Sequence, residues 1–170
     1  DSIVRGTTLK MSIIKMMDRL NPKRIVIVSS APQIRFPDCY GIDMAKLEGL
    51  VAFRAALELL KERNLYHIVD EVYAKCKAQE NYHDNDVVNY VTAIYEPFAP
   101  QEISDKIAEM LSSPEINAEV KIIFQTVEDL HTACPKNLGD WYFTGDYPTP
   151  GGNRVVNRAF MNFYEGKDAR

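Results

Sequence analysis

The sequence predicts an α/β fold, a small parallel sheet flanked by helices, and three observations carry that reading. Ile25-Val26-Ile27-Val28 and Val120 to Phe124 are short apolar runs rich in β-branched residues and bounded by turn residues, the pattern of parallel strands covered on both faces. Roughly six further segments repeat their apolar residues at helical spacing. The chain has 170 residues, 46% hydrophobic and 26% charged, which is enough for one core.

Taken in order, Leu9, Ile13, Met16, Met17 and Leu20 recur with Lys10, Lys15, Asp18 and Arg19 between them, and Asn21-Pro22 ends the run. That gives an amphipathic helix of about three turns. Ile25 to Val28 follows as a strand buried on both faces, between Pro22 and Ser29-Ser30-Ala31-Pro32. A loop from Pro32 to Asp43 leads to a helix carrying Leu47, Leu50, Val51, Leu57 and Leu60, with Asp43 offered as its N-cap. Helical spacing continues over Leu65 to about Cys76, Val87 to Tyr95 and Ile103 to Leu111, with connections at 81–86 and 97–100. After the second strand, Thr126 and Asp129 make a partial capping box for a short helix ending near Cys134-Pro135. Trp141, Tyr142, Phe143 and Tyr147 then suit a loop packed by its own aromatics. Val155, Val156, Ala159, Phe160 and Phe163 mark a last helix. Two strands alone make a marginal sheet, so further strands are expected upstream, in a chain that starts inside a larger protein.

Composition excludes some functions. Twenty Lys plus Arg against 24 Asp plus Glu give a net charge of −4, and without a basic block no nucleic-acid partner is expected. No apolar run approaches the ~18 residues of a membrane span, and no signal-peptide pattern opens the chain. Cys39, Cys76 and Cys134 are too scattered for a disulfide framework or a metal pair, which points to a reducing, cytoplasmic setting. His67, His83 and His131 fit no metalloprotease spacing and read as surface or satisfied histidines, while Asp70-Glu71 and Lys61-Glu62-Arg63 read as solvated helix faces.

The densest polar segment, Asp1-Ser2-Ile3-Val4-Arg5-Gly6-Thr7-Thr8, stands directly before the first helix. A glycine that lets the backbone approach, successive N–H groups, hydroxyls and a helix N-terminus together suit a phosphate. The same residues also suit a plain helix start with Thr7 or Ser2 as N-cap, and neither common nucleotide fingerprint is present. Arg35 is open between a phosphate and a structural carboxylate such as Asp38 or Asp43. Trp141 and its neighbours read as core rather than as a stacking platform.

The string DSIVRGTT resembles the second half of the phosphoribosyl-pyrophosphate (PRPP) loop of type I phosphoribosyltransferases. With Ser30-Ala31-Pro32-Gln33-Ile34-Arg35-Phe36-Pro37, Tyr40-Gly41-Ile42-Asp43 and Phe143-Thr144-Gly145-Asp146-Tyr147-Pro148-Thr149, the chain is similar to the glutamine PRPP amidotransferase, or amidophosphoribosyltransferase, family. The resemblance implies a helix-rich C-terminal fragment of a type I phosphoribosyltransferase fold. Residues 1–52 and 101–150 would form part of that domain, 53–100 a helical insertion and 151–170 a C-terminal helix. The implied reaction makes 5-phosphoribosylamine from PRPP and glutamine, the first step of purine biosynthesis. Asp1 would bind the ribose hydroxyls, help place Mg²⁺ and act in catalysis. Ser2, Ile3, Val4, Arg5, Gly6, Thr7 and Thr8 would cradle the 5-phosphate. The resemblance also implies ammonia from a glutaminase domain at the N-terminal side, inhibition by purine nucleotides, a homo-oligomer and a cytoplasmic location.

Departures from the family pattern bear on these expectations. The first acidic residue of the loop, its strand and the pyrophosphate-binding loop are absent from these residues, so the 170-residue chain alone is expected to be inactive. Some relatives carry an iron–sulfur cluster with a CxxC before the Phe-Thr-Gly segment; Leu138-Gly139-Asp140-Trp141-Tyr142 has none, so no cluster is expected. Rival readings are another type I phosphoribosyltransferase with a base as acceptor, a non-catalytic PRPP-binding regulator, and a helical interaction module whose Gly6 loop is only a cap.

Overall fold

Hydrogen bonding between the two apolar runs sets the frame of the molecule. In the computed structural model, which describes residues 3–39, 44–136 and 139–167, Arg24–Ser29 (β1) and Glu119–Phe124 (β2) pair in parallel. Ile25 lies opposite Val120 and Val28 opposite Ile123. Among the described residues these are the two strands, so the α/β class and the helix-rich balance are as read from the sequence.

The sheet is covered on one face, which corrects the expectation of burial on both. Ile25, Ser29 and Ile122 are buried, whereas Val26 and Val28 are 49% and 69% exposed and Ile123 lies open beside them. The alternation follows from the strand period of two. Pro100–Leu111 (α4) packs against β2, and Ile14–Asp18 (α1) touches β1. A parallel sheet ordinarily carries helices on both faces, so Val26, Val28 and Ile123 form a surface that a further layer would cover.

The first helix shows the same one-sidedness. Leu9–Ile13 is a π-helical turn that runs into α1, and Ile14, rather than the apolar residues on either side, is the fully buried member. Met11, Met16 and Leu20 remain mostly exposed. The Asp18 carboxylate accepts hydrogen bonds from the Asn117 and Ala118 N–H groups, tying the end of this helix to the start of β2.

Val51–Glu62 (α2) and His67–Ala78 (α3) follow the expected helical spacing, with a 3₁₀ turn at Leu47–Gly49 ahead of them. The N-cap of α2 is Leu50, and Asp43, expected to cap this helix, lies outside the described residues. Phe53 is fully buried and meets Phe160 and Phe163 edge-on at 6.2 and 5.0 Å. Those two rings belong to the last helix, Pro150–Tyr164. Lys106 of α4 is nearly buried, and its ammonium is shared between Glu62 of α2 and Glu109. Residues of α2 and α3 thus lie in the same apolar cluster as Ile14, Ile25 and Ile122.

Between α3 and α4 the structure departs from the expected helix over Val87 to Tyr95. Val87 and Val88 are not helical, and a 3₁₀ helix covers Tyr90–Ile94. Side-chain amides explain the difference. Gln79 accepts from the Val88 N–H and donates to its carbonyl, Asn157 also donates to that carbonyl, and Asn153 donates to the carbonyl of Val87. With these backbone groups satisfied from outside, helix formation gains nothing there, and Asn89 accepts from the Val91 N–H to start the 3₁₀ turn instead. Val127–Ala133 (α5), capped by Thr126 through the Asp129 N–H, and Trp141–Thr144 (α6) complete the order before the last helix (α7).

Candidate functional site

The polar loop is described from Ile3 onward, so Asp1 and Ser2 lie outside the described residues. Ile3 is buried, and the loop is held from one side by α2. The Val51 N–H donates to the Val4 carbonyl at 2.8 Å, and the Arg54 guanidinium donates to the Arg5 carbonyl at 2.7 Å. Gly6 stands at φ +71°, a conformation open to glycine at little cost. Its carbonyl accepts from the Lys10 N–H at 3.0 Å, so the helical hydrogen-bond ladder starts at Gly6.

Thr7 is therefore helical and is not an N-cap, which departs from one of the two readings of this segment. Thr7 and Thr8 are both exposed, and their hydroxyls find no hydrogen-bond partner among the described residues. Free hydroxyls and unpaired first-turn N–H groups at a helix start are groups that an anion can take. The contact of Gly6 adds a second reason for that residue. A Cβ there would lie 2.7 Å from Cδ2 of Leu111 in α4, so the glycine also makes room for the core.

The other two sequence motifs meet in space. The Arg35 and Phe36 N–H groups both donate to the Tyr142 carbonyl, the Tyr147 hydroxyl donates to the Pro37 carbonyl at 2.6 Å, and the Tyr142 hydroxyl donates to buried Asp38. Gly145, at φ +78°, ends α6, and a Cβ there would strike Asn89 and the Phe36 ring at under 3 Å. Trp141, Tyr142 and Phe143 pack half-buried against the core, as expected of them. These two motifs form one corner of the molecule, anchored on Ile34 to Asp38, while residues 3–8 are held by α2 and α4.

Beyond the carboxyl ends of β1 and β2 lies a cavity of about 530 Å³, walled by residues from both strand-end loops, α4, α6 and the Tyr90–Ile94 region. Residues 3–8 do not line it. Arg35 does, and its Nε and Nη2 donate to Gln33 Oε1 at 3.1 and 2.8 Å. Gln33 in turn donates to the Pro100 carbonyl and the Ser104 hydroxyl, which fixes the loop to the start of α4. In the sequence Gln33 counts only as one member of the Ser30–Pro37 motif and Tyr95 only as the end of a helical spacing, and neither is marked there as a site residue.

Burial pushes the Cys76 thiol up to about 12, so that group stays neutral and unreactive. Burial and the neighbouring Asp38 raise Cys39, and Cys134 is exposed. His131 pairs with Asp140 at 3.0 Å. Among the described residues no cluster of three or more His, Cys, Asp or Glu side chains is placed to hold a metal ion, and no helix is long and apolar enough to cross a membrane.

Comparison with known proteins adds one consistent relationship. The amidophosphoribosyltransferase of Saccharomyces cerevisiae is 32% identical over 131 residues, covering 72% of this chain and 25% of the yeast protein. That of Lachancea kluyveri is 39% identical over 85 residues, covering 47% and 16%, and that of Escherichia coli is 42% identical over 62 residues, covering 36% and 12%. The chain thus spans about a quarter of the length of the yeast relative. No family model matches the chain, and no solved structure matches it.

Proposed function

We propose that this chain, a partial homologue of amidophosphoribosyltransferases from yeasts and bacteria, is the C-terminal part of an enzyme that makes 5-phosphoribosylamine from PRPP and glutamine-derived ammonia, the opening step of purine biosynthesis. The observation that carries the reading is the loop at Gly6. A positive-φ glycine turns the chain into a helix start whose Thr7 and Thr8 hydroxyls are exposed and have no partner among the described residues, an arrangement that suits the 5-phosphate of PRPP.

The chemistry fits the side chains on offer. Ammonia displaces pyrophosphate at the anomeric carbon of the ribose, and the transition state carries positive charge on the ring and negative charge on the leaving group. Such a reaction asks for positioning more than for a general base. In this proposal Ile3, Val4, Arg5, Gly6, Thr7 and Thr8 grip the phosphate from backbone and hydroxyl groups, together with Ser2, and Asp1 holds the ribose hydroxyls. The described residues present no acidic cluster for Mg²⁺, so in this reading Asp1 and the diphosphate of the substrate itself hold the ion. Bound there, Mg²⁺ would offset the charge that builds on the pyrophosphate.

The further parts of the proposal follow the resemblance. Residues 1–52 and 101–150 belong to the phosphoribosyltransferase domain, 53–100 are an insertion that joins its core, and 151–170 close it as a helix. The enzyme is a cytoplasmic homo-oligomer without an iron–sulfur cluster, is inhibited by purine nucleotides, and receives ammonia from a glutaminase domain in the same polypeptide. The experiment is a product assay on the polypeptide that joins these residues to that domain, with PRPP, Mg²⁺ and glutamine or ammonia. Phosphoribosylamine and pyrophosphate are expected with either nitrogen source. Nucleotide formed from a free base would point to another phosphoribosyltransferase, and PRPP binding without turnover to a regulator.

A further inference from the structure

Arg35 carries a charge that no carboxylate among the described residues answers with an ion pair. Its guanidinium is largely taken out of water, which pulls its pKa below the usual arginine value, and no carboxylate among the described residues forms an ion pair with it. Two of its five N–H donors go to the neutral Gln33 side chain, and the Tyr95 ring lies 5.4 Å away under the guanidinium carbon. A cation withdrawn from water is costly unless it is paired, and this one, with no counter-ion among the described residues, stands on the wall of a cavity of about 530 Å³, the size of a small-molecule site.

The rest of the wall narrows the ligand. Phe124 and Phe143, both half-buried, and the open Ile123 supply apolar surface, so the body of the ligand is apolar. Glu96 and Glu128 also line the cavity and are exposed at its edge. Two carboxylates at the rim against one guanidinium on the wall oppose a dianion such as a phosphate monoester more than a single negative charge placed against Arg35.

We propose that this cavity binds a small carboxylate monoanion with a flat apolar body, its carboxylate paired with Arg35 and its body against the phenylalanine rings. The site is separate from residues 3–8 and stands whether or not that loop takes a phosphate. Arg35 supplies the bidentate geometry that a carboxylate matches, and Tyr95 and Gln33 hold the guanidinium in place for it.

The test is an NMR titration of the ¹⁵N-labelled 170-residue chain with three probes: phenylacetate, its uncharged isostere phenylacetamide, and inorganic phosphate. Saturable shifts at the amides of Arg35, Gln125 and Thr126 are expected with phenylacetate, and affinity about tenfold weaker or less with the other two. Arg35→Gln is expected to lose about tenfold of the phenylacetate affinity. Glu128→Lys, a change at an exposed position, keeps the fold and is expected to tighten phenylacetate about threefold by removing one repulsion and adding one attraction. An absence of saturable shifts at tens of millimolar phenylacetate overturns the proposal, as does equal binding of the amide, tighter binding of phosphate, or an unchanged affinity in Glu128→Lys. Should Arg35→Gln fail to fold, the amide comparison and Glu128→Lys decide the matter.

Discussion

Gly6→Val is expected to lower the unfolding free energy by about 2–5 kcal/mol and to abolish use of PRPP in the enzyme proposed to contain this chain. Two costs combine. Placing a β-branched residue at φ +71° puts it in the left-handed region, at roughly 1–2 kcal/mol. Its Cβ would then sit 2.7 Å from Leu111 Cδ2, and overfilling a packed site adds about 1–3 kcal/mol. Gly6→Ala in a Leu111→Ala background separates the terms, because the smaller partner removes the clash and leaves the backbone cost. Urea denaturation of the variants reads both. An unchanged midpoint for Gly6→Val would remove the positive φ and the Leu111 contact from the account together.

Phe53→Ala is expected to cost about 3–5 kcal/mol, the range for a large aromatic deleted from a packed interior. Phe53 is fully buried in α2, with Phe160 and Phe163 of α7 set edge-on against it. The position matters because Phe53 opens the segment proposed as an insertion. Since α2 shares its apolar cluster with Ile14, Ile25 and Ile122, removing this ring should lower one transition for the whole molecule rather than loosen an appendage. Circular dichroism and the fluorescence of Trp141, in α6, should report the same shifted midpoint. A fluorescence midpoint that stays put while helix signal is lost early would show two separate units.

Much of the fold was legible because local pattern and final packing agree. The two β-branched runs became β1 and β2, and the helical spacing around Leu57, Val69, Ile107 and Phe160 became helices that bury those residues. The failures have particular causes. Val87 and Val88 show helical spacing, yet Gln79, Asn153 and Asn157 satisfy their backbone groups from other elements, which no local window reveals. The spacing of Leu9, Ile13, Met16, Met17 and Leu20 describes an apolar face that the described residues leave largely open, as they do Val26 and Val28 of the strand. Such patterns record burial that one layer of structure does not supply.

The candidate site was legible in part. Gly6 and its threonines were marked by residue type, and the structure gives Gly6 a positive φ and leaves both threonines exposed; the second role of Gly6, making room for Leu111, depends on α4, far along the chain. Arg35 was open between a phosphate and an aspartate partner. Among the described residues it has Gln33 and Tyr95 instead, and Asp38 is engaged by Tyr142.

The claim that residues 3–8 grip the 5-phosphate is tested most directly by the PRPP dependence of the enzyme proposed to contain this chain when Thr7 and Thr8 are both changed to Val. Both hydroxyls are exposed and without a partner among the described residues, so removing them should leave the thermal midpoint nearly unchanged. The KM for PRPP should rise by about tenfold or more, with the KM for ammonia unaltered, as two hydrogen bonds to a charged group are lost. An unchanged KM for PRPP in a stable double variant would contradict the assignment and leave the segment as an ordinary helix start.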